Sequence, residues 1–294
     1  MAPNKKSNFI KSTDVAQDLH GIYQRIPYLS IKHDSYFQVY KELFEKYVGK
    51  KIIFVEIGVL NGGSLFMWRS FFGANATIIG IDLNPAAKKW EKEGFTIFIG
   101  SQSDPAFWEN FFGSVGKVDV VLDDGGHTNH QQILTADRCI PQINAGGMLV
   151  VEDVHTSYMS EFGNPSRYSF INFSKRIIDS LNSRFPAVKV VKNTYGQHVY
   201  SIAFYESIVC FHVDESKCFA SRPTTNNGID TNAIDFRNED SGQKQLFAVQ
   251  RLLSRKFLVI ARVPLIKFIG NRMFLLPKYL LSLQKSASLK KLFE

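Results

Sequence analysis

Five short apolar runs, each separated from the next by helical or turn-rich sequence, constrain this chain more than any other feature. They are IIFVEIG (52–58), ATIIGIDL (76–83), FTIFIG (95–100), VDVVLDD (118–124) and GGMLVVED (146–153). Strands covered on both faces read as continuous apolar runs, and parallel strands need crossovers long enough for a helix. The spacing predicts helices near 86–92 and 104–112 and over 128–141, with NGGSLFMWRSFF (61–72) as a glycine turn into another. Ahead of the first run, Phe37, Tyr40, Leu43, Phe44 and Tyr47 recur at steps of three or four, a helical face within 35–47. After the fifth, 167–185 reads as helix, and 188–192 with 198–213 as a late β-rich stretch. The expected fold is α/β, a doubly wound, mostly parallel sheet with helices on both faces.

A chain of 294 residues with 45% hydrophobic content can bury a full core. The expected organisation is an N-terminal helical segment (1–50), a main domain (51–213), a polar linker (214–243) and a basic, helical extension (244–294). Charge separates the last part from the rest. From Gln243 onward there are eleven Lys or Arg and one acid, Glu294, hence +10; the whole chain carries +8, so residues 1–242 carry −2. A main domain of that charge argues against nucleic acid as partner. Cys139, Cys210 and Cys218 show neither metal-ligand spacing nor a disulfide pattern, which predicts a reducing, cytoplasmic setting. No apolar run of a signal peptide stands at the N-terminus, and no window reaches the roughly 18 apolar residues of a membrane span.

In open α/β sheets, ligands bind beyond the carboxyl ends of the strands. The first run ends in Glu56-Ile57-Gly58-Val59-Leu60-Asn61-Gly62-Gly63-Ser64, a turn whose glycines let a ligand approach a helix N-terminus. Asp82, twenty residues after Gly62, stands where an acid accepts the hydroxyls of a ribose. Leu60 occupies the place of the second glycine of a dinucleotide turn, and Glu56 precedes the first glycine by two. That pattern favours S-adenosylmethionine over NAD, with Glu56, Gly58, Gly62, Ser64 and Asp82 lining the site. Ser101 and Gln102, after the third run, lie where an adenine edge is read. The fourth run delivers Asp123, Asp124 and His127 to one spot, and the fifth delivers Glu152, Asp153 and His155. Paired acids at a strand end can merely cap the next helix, but capping does not require both strand ends to be acidic.

EIGVLNGGSLFMW, GIDLNP, GSQSDPAFW, LDDGGHTNHQQ and VVEDVHTSY, in that order and spacing, resemble the metal-dependent sugar O-methyltransferases of the macrolide (mycinamicin) type, over roughly residues 30–160. The resemblance implies a class I methyltransferase fold, S-adenosylmethionine, and magnesium, with manganese as a substitute. It places the metal on Asp124, Glu152 and Asp153, makes His127 the general base, and sets Asp123 against the cofactor. Magnesium prefers about six oxygen ligands, so three carboxylates leave positions for substrate or water. Neighbouring residues of a strand point to opposite faces, so for Glu152 and Asp153 to share a metal the strand must break there.

His155, Thr156 and Tyr158, with a loop at Gly163, Asn164 and Pro165, read as facing a sugar acceptor. His33 and Tyr36 fall where relatives of this type lay an N-terminal segment over the cofactor, though packing explains them equally well. In the tail, an apolar stripe including Leu246, Leu253 and Ile260 alternates with Arg251, Arg255 and Arg262. Two readings follow. The tail packs on the domain or on a sister subunit as a homo-oligomer contact, or it lies in the plane of a membrane's inner face, attracted to anionic lipid. The second suits a lipid-linked acceptor such as a surface glycan precursor. Two rival functions are a metal-dependent hydroxylase and a non-catalytic assembly module keeping the fold.

Overall fold

The computed structural model describes residues 19–162, 167–186, 188, 194–231, 233 and 290. Two compact units divide the chain, Met1–Pro223 and Thr224–Glu294. In the second, the described stretch 224–231 is exposed and without regular structure. The expectations for 244–294 and for the loop at 163–165 fall outside the described residues, Lys290 excepted. Among the described residues, no helix is long and apolar enough to cross a membrane.

Among the described residues, the first unit holds seven strands. β1 (Ile53–Ile57), β2 (Thr77–Asp82), β3 (Thr96–Ile99), β4 (Val118–Asp123) and β5 (Ile143–Val151) coincide with the five apolar runs, each starting or ending within a few residues of them. β6 (Val199–Tyr205) and β7 (Ile208–Val213) form a hairpin, and the sheet order is β3-β2-β1-β4-β5-β7-β6. β1 to β5 run parallel, whereas β7 is antiparallel to both β5 and β6. This is the doubly wound sheet expected of a class I methyltransferase fold.

Helices α1 (Leu19–Arg25), α2 (Tyr36–Phe44), α3 (Gly63–Phe72), α4 (Pro105–Val115), α5 (Asn129–Cys139) and α6 (Phe170–Asn182) complete the unit. The segment expected to be helical near 86–92 is a run of 3-10 turns, Pro85–Glu93. Alternate strand residues feed two cores. Phe54, Ile78, Val120 and Met148 join Tyr40, Phe44, Trp68 and Phe72 on one side. Val55, Ile79, Val121 and Leu149 join Trp108, Phe111, Phe170 and Ile177 on the other. The N-terminal helix α2 therefore packs in the same core as β1.

Strand order reverses between β1 and β4, so the crevice opens at their carboxyl ends. Ile57 pairs with Asp123 and Asp123 with Val151, which makes β1, β4 and β5 finish level. The ladder continues one step, Asp124 N–H donating to Ile57 O (3.0 Å) and Glu152 N–H to Asp123 O (2.9 Å). Gly58, Asp124 and Glu152 thus emerge in one row.

Candidate functional site

Two turns and one N-terminal segment build the site around that row. At the end of β1, Gly58 (φ 91°) and Gly62 (φ 80°) adopt left-handed backbone. A Cβ on Gly58 would lie 2.0 Å from the carbonyl oxygen of Asp124, so here glycine serves the close approach of two strand ends. Asp82, at the end of β2, ties this turn down. Its Oδ2 accepts the N–H of Val59 and of Leu60, both at 2.9 Å, and Oδ1 accepts that of Asn84 at 2.7 Å. Glu56 is buried beneath, accepting from the Ser64 hydroxyl (2.8 Å) and the Trp68 indole N–H (3.0 Å). Burial pushes the Glu56 carboxyl up to about 7, against the pull of the nearby Lys32.

At the end of β4, Asp123 is also buried, and the Gln102 amide donates to both its oxygens (3.0 and 3.2 Å). Gln102 Oε1 in turn accepts the Gly126 N–H at 2.8 Å, binding the loop after β3 to the loop after β4. Burial raises the Asp123 carboxyl to about 6, although Gln102 and the Gly125 N–H oppose it. Ser101 is partly exposed, and its hydroxyl accepts the N–H of Ser103.

The next residues break the strands. In the loops after β1, β4 and β5, the non-glycine residues Leu60, His127 and Asp153 have positive φ (46°, 58° and 54°). Left-handed backbone costs such residues about 1–3 kcal/mol and collects at functional sites. At Asp153 it supplies the break that the adjacent acids Glu152 and Asp153 require, since β5 stops at Val151. The Thr156 hydroxyl lies 2.8 Å from His127 O and 2.7 Å from Asp153 O, tying two of the left-handed residues together from a buried position. Thr128 then caps α5 in a reciprocal pair of hydrogen bonds with Gln131. His155 contacts the Ser207 hydroxyl, and Tyr158 is exposed.

Asp124, His127 and Asp153 each present a ligand atom, all within 4.8 Å of one another and partly exposed. His127 Nε2 is 3.5 Å from Asp153 Oδ2. Among the described residues, its buried Nδ1 has no hydrogen-bond partner. Glu152 stands apart from this trio. It is fully buried, its Oε1 accepting from the Tyr40 hydroxyl (2.5 Å) and its Oε2 from the Lys32 ammonium (3.0 Å). Lys32 also donates to Asp124 Oδ2 at 2.6 Å and lies 3.9 Å from Glu56. The Tyr36 hydroxyl donates to Asp153 Oδ1 at 2.5 Å, with His33 Nε2 3.8 Å from the same oxygen.

Burial opposes the Lys32 charge, but Glu152, Asp124 and Glu56 outweigh it and hold its pKa above the ordinary lysine value. Burial also raises Glu152, with Lys32 opposing. One ammonium cannot neutralise three carboxylates, so the acids compete for it and the buried Glu152 holds a proton to unusually high pH.

Sequence reasoning brought the acids and His127 to one place but overlooked Lys32 and Tyr40. Their only trace is a spacing of four through Lys32, Tyr36 and Tyr40, which by itself reads as a helix face. A cavity of about 730 Å³ does not lie over the acids. It runs beside α5, between His130, Ile133, Phe162, Tyr168 and Tyr195. Phe162 connects the two, its ring centroid 6.5 Å from that of His127.

Residues 55–154, from β1 through the acid cluster, match the family model described as a methyltransferase domain. Over this stretch the chain is similar to a methyltransferase domain. Two sugar O-methyltransferases are similar to it in sequence. The 8-demethyl-8-alpha-L-rhamnosyl tetracenomycin-C 2'-O-methyltransferase of Streptomyces olivaceus is 31% identical over 52% of this chain and 45% of its own length. The mycinamicin VI 2''-O-methyltransferase of Micromonospora griseorubida is 32% identical over 57% and 46%. The chain thus spans about half the length of these curated relatives. A solved structure of the MycE methyltransferase, in complex with Mg, SAH and mycinamycin VI, superposes with a TM-score of 0.61 at 24% identity, covering 75% of this chain and 57% of that one. That likeness concerns the fold alone.

Proposed function

We propose that this chain is an S-adenosylmethionine-dependent, magnesium-assisted O-methyltransferase acting on a sugar hydroxyl of a glycoconjugate, with a surface glycan as acceptor. The observation that carries the reading is the convergence of Asp124, His127 and Asp153 beside the Gly58 turn. The relatives that methylate sugar hydroxyls support the same reaction class. When bound, S-adenosylmethionine supplies an electrophilic methyl group and magnesium supplies the charge that makes a hydroxyl more acidic.

The donor set fits both groups. Carboxylate oxygens from Asp124 and Asp153 suit a hard cation, and two of them leave positions for hydroxyls. Imidazole suits such an ion less well, which leaves His127 for the proton. Among the described residues its buried Nδ1 has no hydrogen-bond partner, and its Nε2 lies 3.5 Å from Asp153 Oδ2. Asp82 fits a ribose hydroxyl through Oδ1, which keeps a lone pair beyond the single backbone N–H it accepts, whereas Oδ2 already accepts two. Glu56 and Ser64 lie beneath the turn and support it. The cavity beside α5 gives the bulk of a glycoconjugate an apolar bed next to His127. The basic composition of 244–294 supports a lipid-linked acceptor, met at the cytoplasmic face of an anionic membrane.

Calorimetry tests the reading first. S-adenosylhomocysteine is expected to bind, and Asp82→Ala to weaken it at least tenfold. Release of S-adenosylhomocysteine with glycoside acceptors is expected to stop in excess chelator and to return with magnesium or manganese. Binding of NAD with no adenosyl ligand, or full turnover in chelator, overturns it.

A further inference from the structure

The residue that the acid cluster does not explain is Lys32. Residues 27–35 run over the surface, with Ile31 73% exposed and the His33 side chain 63% exposed, yet the Lys32 side chain between them is 2% exposed. Its ammonium sits between Asp124 Oδ2 and Glu152 Oε2 and lies 5.7 Å from the Tyr40 ring centroid. The stretch leading to it lies over the turn after β1. A Cβ on Gly63 would meet the carbonyl oxygens of Tyr28 and Leu29 at 2.4 and 2.6 Å. The Tyr28 ring packs against Phe66 and Trp90, and the Tyr23 hydroxyl donates to Ser30 O at 2.6 Å. One exposed strap therefore covers the glycine turn and plants a cation among the acids.

Magnesium binds carboxylate oxygen at about 2.0–2.1 Å. An ammonium hydrogen-bonded to the same two oxygens stands in its way, and like charges at that range repel. Glu152 has both oxygens engaged, Oε1 by Tyr40 and Oε2 by Lys32. It becomes a metal ligand, as the resemblance implies, when Lys32 leaves. We propose that Lys32 is a tethered cation that competes with the divalent metal for Asp124 and Glu152, so that metal binding releases the 26–35 strap from the glycine turn. The inference rests on the metal reading given above. Because the linkage is reciprocal, a strap held in place weakens metal binding by the same factor that metal loosens the strap.

The test uses the full chain with Mn²⁺ as the probe. Free Mn²⁺, counted by electron paramagnetic resonance, gives the affinity of wild type and of Lys32→Met. Hydrogen exchange of the peptide spanning 26–35 is followed with and without the ion. Lys32→Met is expected to bind Mn²⁺ at least tenfold more tightly, and Mn²⁺ is expected to speed exchange in the wild-type strap. Both responses are required, because deleting a nearby positive charge strengthens binding even without competition. Mn²⁺ binding with unchanged strap exchange, or with equal or weaker affinity in Lys32→Met, overturns the latch and leaves the metal reading standing. Absence of Mn²⁺ binding from both proteins overturns the two together. If Lys32→Met does not fold, Lys32→Gln takes its place in the affinity measurement.

Discussion

The end of β2 and the end of β5 each carry an acid, Asp82 and Glu152, and the two acids are satisfied in opposite ways. Asp82 is partly exposed and accepts three backbone N–H groups, the farthest 23 residues away. Glu152 is buried and bonds side chains 112 and 120 residues away, those of Tyr40 and Lys32. An acid held by neighbouring backbone stiffens a turn while keeping one lone pair for a further donor. An acid held by remote side chains is tied to whatever brings them in, and it changes partners when that segment moves.

The largest expected effect breaks the pair apart. Glu152→Leu removes one partner of a buried ammonium and orphans the Tyr40 hydroxyl, so a loss of about 3–5 kcal/mol is expected in urea unfolding at neutral pH. Asp82→Asn keeps an acceptor oxygen in a partly solvated turn and should cost less than about 1 kcal/mol in the same measurement. Equal losses would erase the contrast between the two acids.

The second prediction sharpens it through pH. Burial raises Glu56 from 4.5 to about 7, so the folded state holds that proton more tightly than the unfolded state does. Its contribution is complete below about pH 4.5 and is lost as pH rises through 7, an effect on the order of 3 kcal/mol. Glu56→Gln carries no such proton. Between pH 5 and 8 the difference in unfolding free energy between variant and wild type should therefore move in favour of the variant. Parallel stability curves would show that burial does not perturb Glu56. The smallest effect is local: Thr128→Ala removes the cap of α5 and should lower stability by about 1 kcal/mol in thermal unfolding. A loss well above that would tie the cap to the acid row.

The same contrast explains what the sequence makes legible. β1 to β5 announce themselves because each is an apolar run bounded by turn residues, and Asp82 because its partners are near in the chain. α6 is readable from its spacing alone, although it is shorter, Phe170–Asn182, than the apolar pattern suggests. The antiparallel placement of β7 between β5 and β6 is not readable, because insertion of a hairpin depends on which strand edge stays open. Lys32 and Tyr40 are unreadable for a related reason. A lysine in a polar segment carries no local sign that it will be buried, and only the folded sheet puts Asp124 and Glu152 within its reach. The left-handed backbone at His127 and Asp153 is equally hidden, since neither is a glycine.

The level finish of β1, β4 and β5 bears on how such a chain tolerates insertions and deletions. Side chains along a strand alternate between faces, so one residue gained or lost turns the whole strand over. In β4 or β5 that slip would carry Asp124 or Glu152 out of line and send core residues to the wrong side together. The acid row and the two cores are therefore protected by one constraint, the number of residues in each strand. The connections between strands are under no such constraint, and long surface insertions there are thermodynamically cheap. Length variation among chains sharing this row should fall between the strands, at the ends away from the acids, while the strands keep their count.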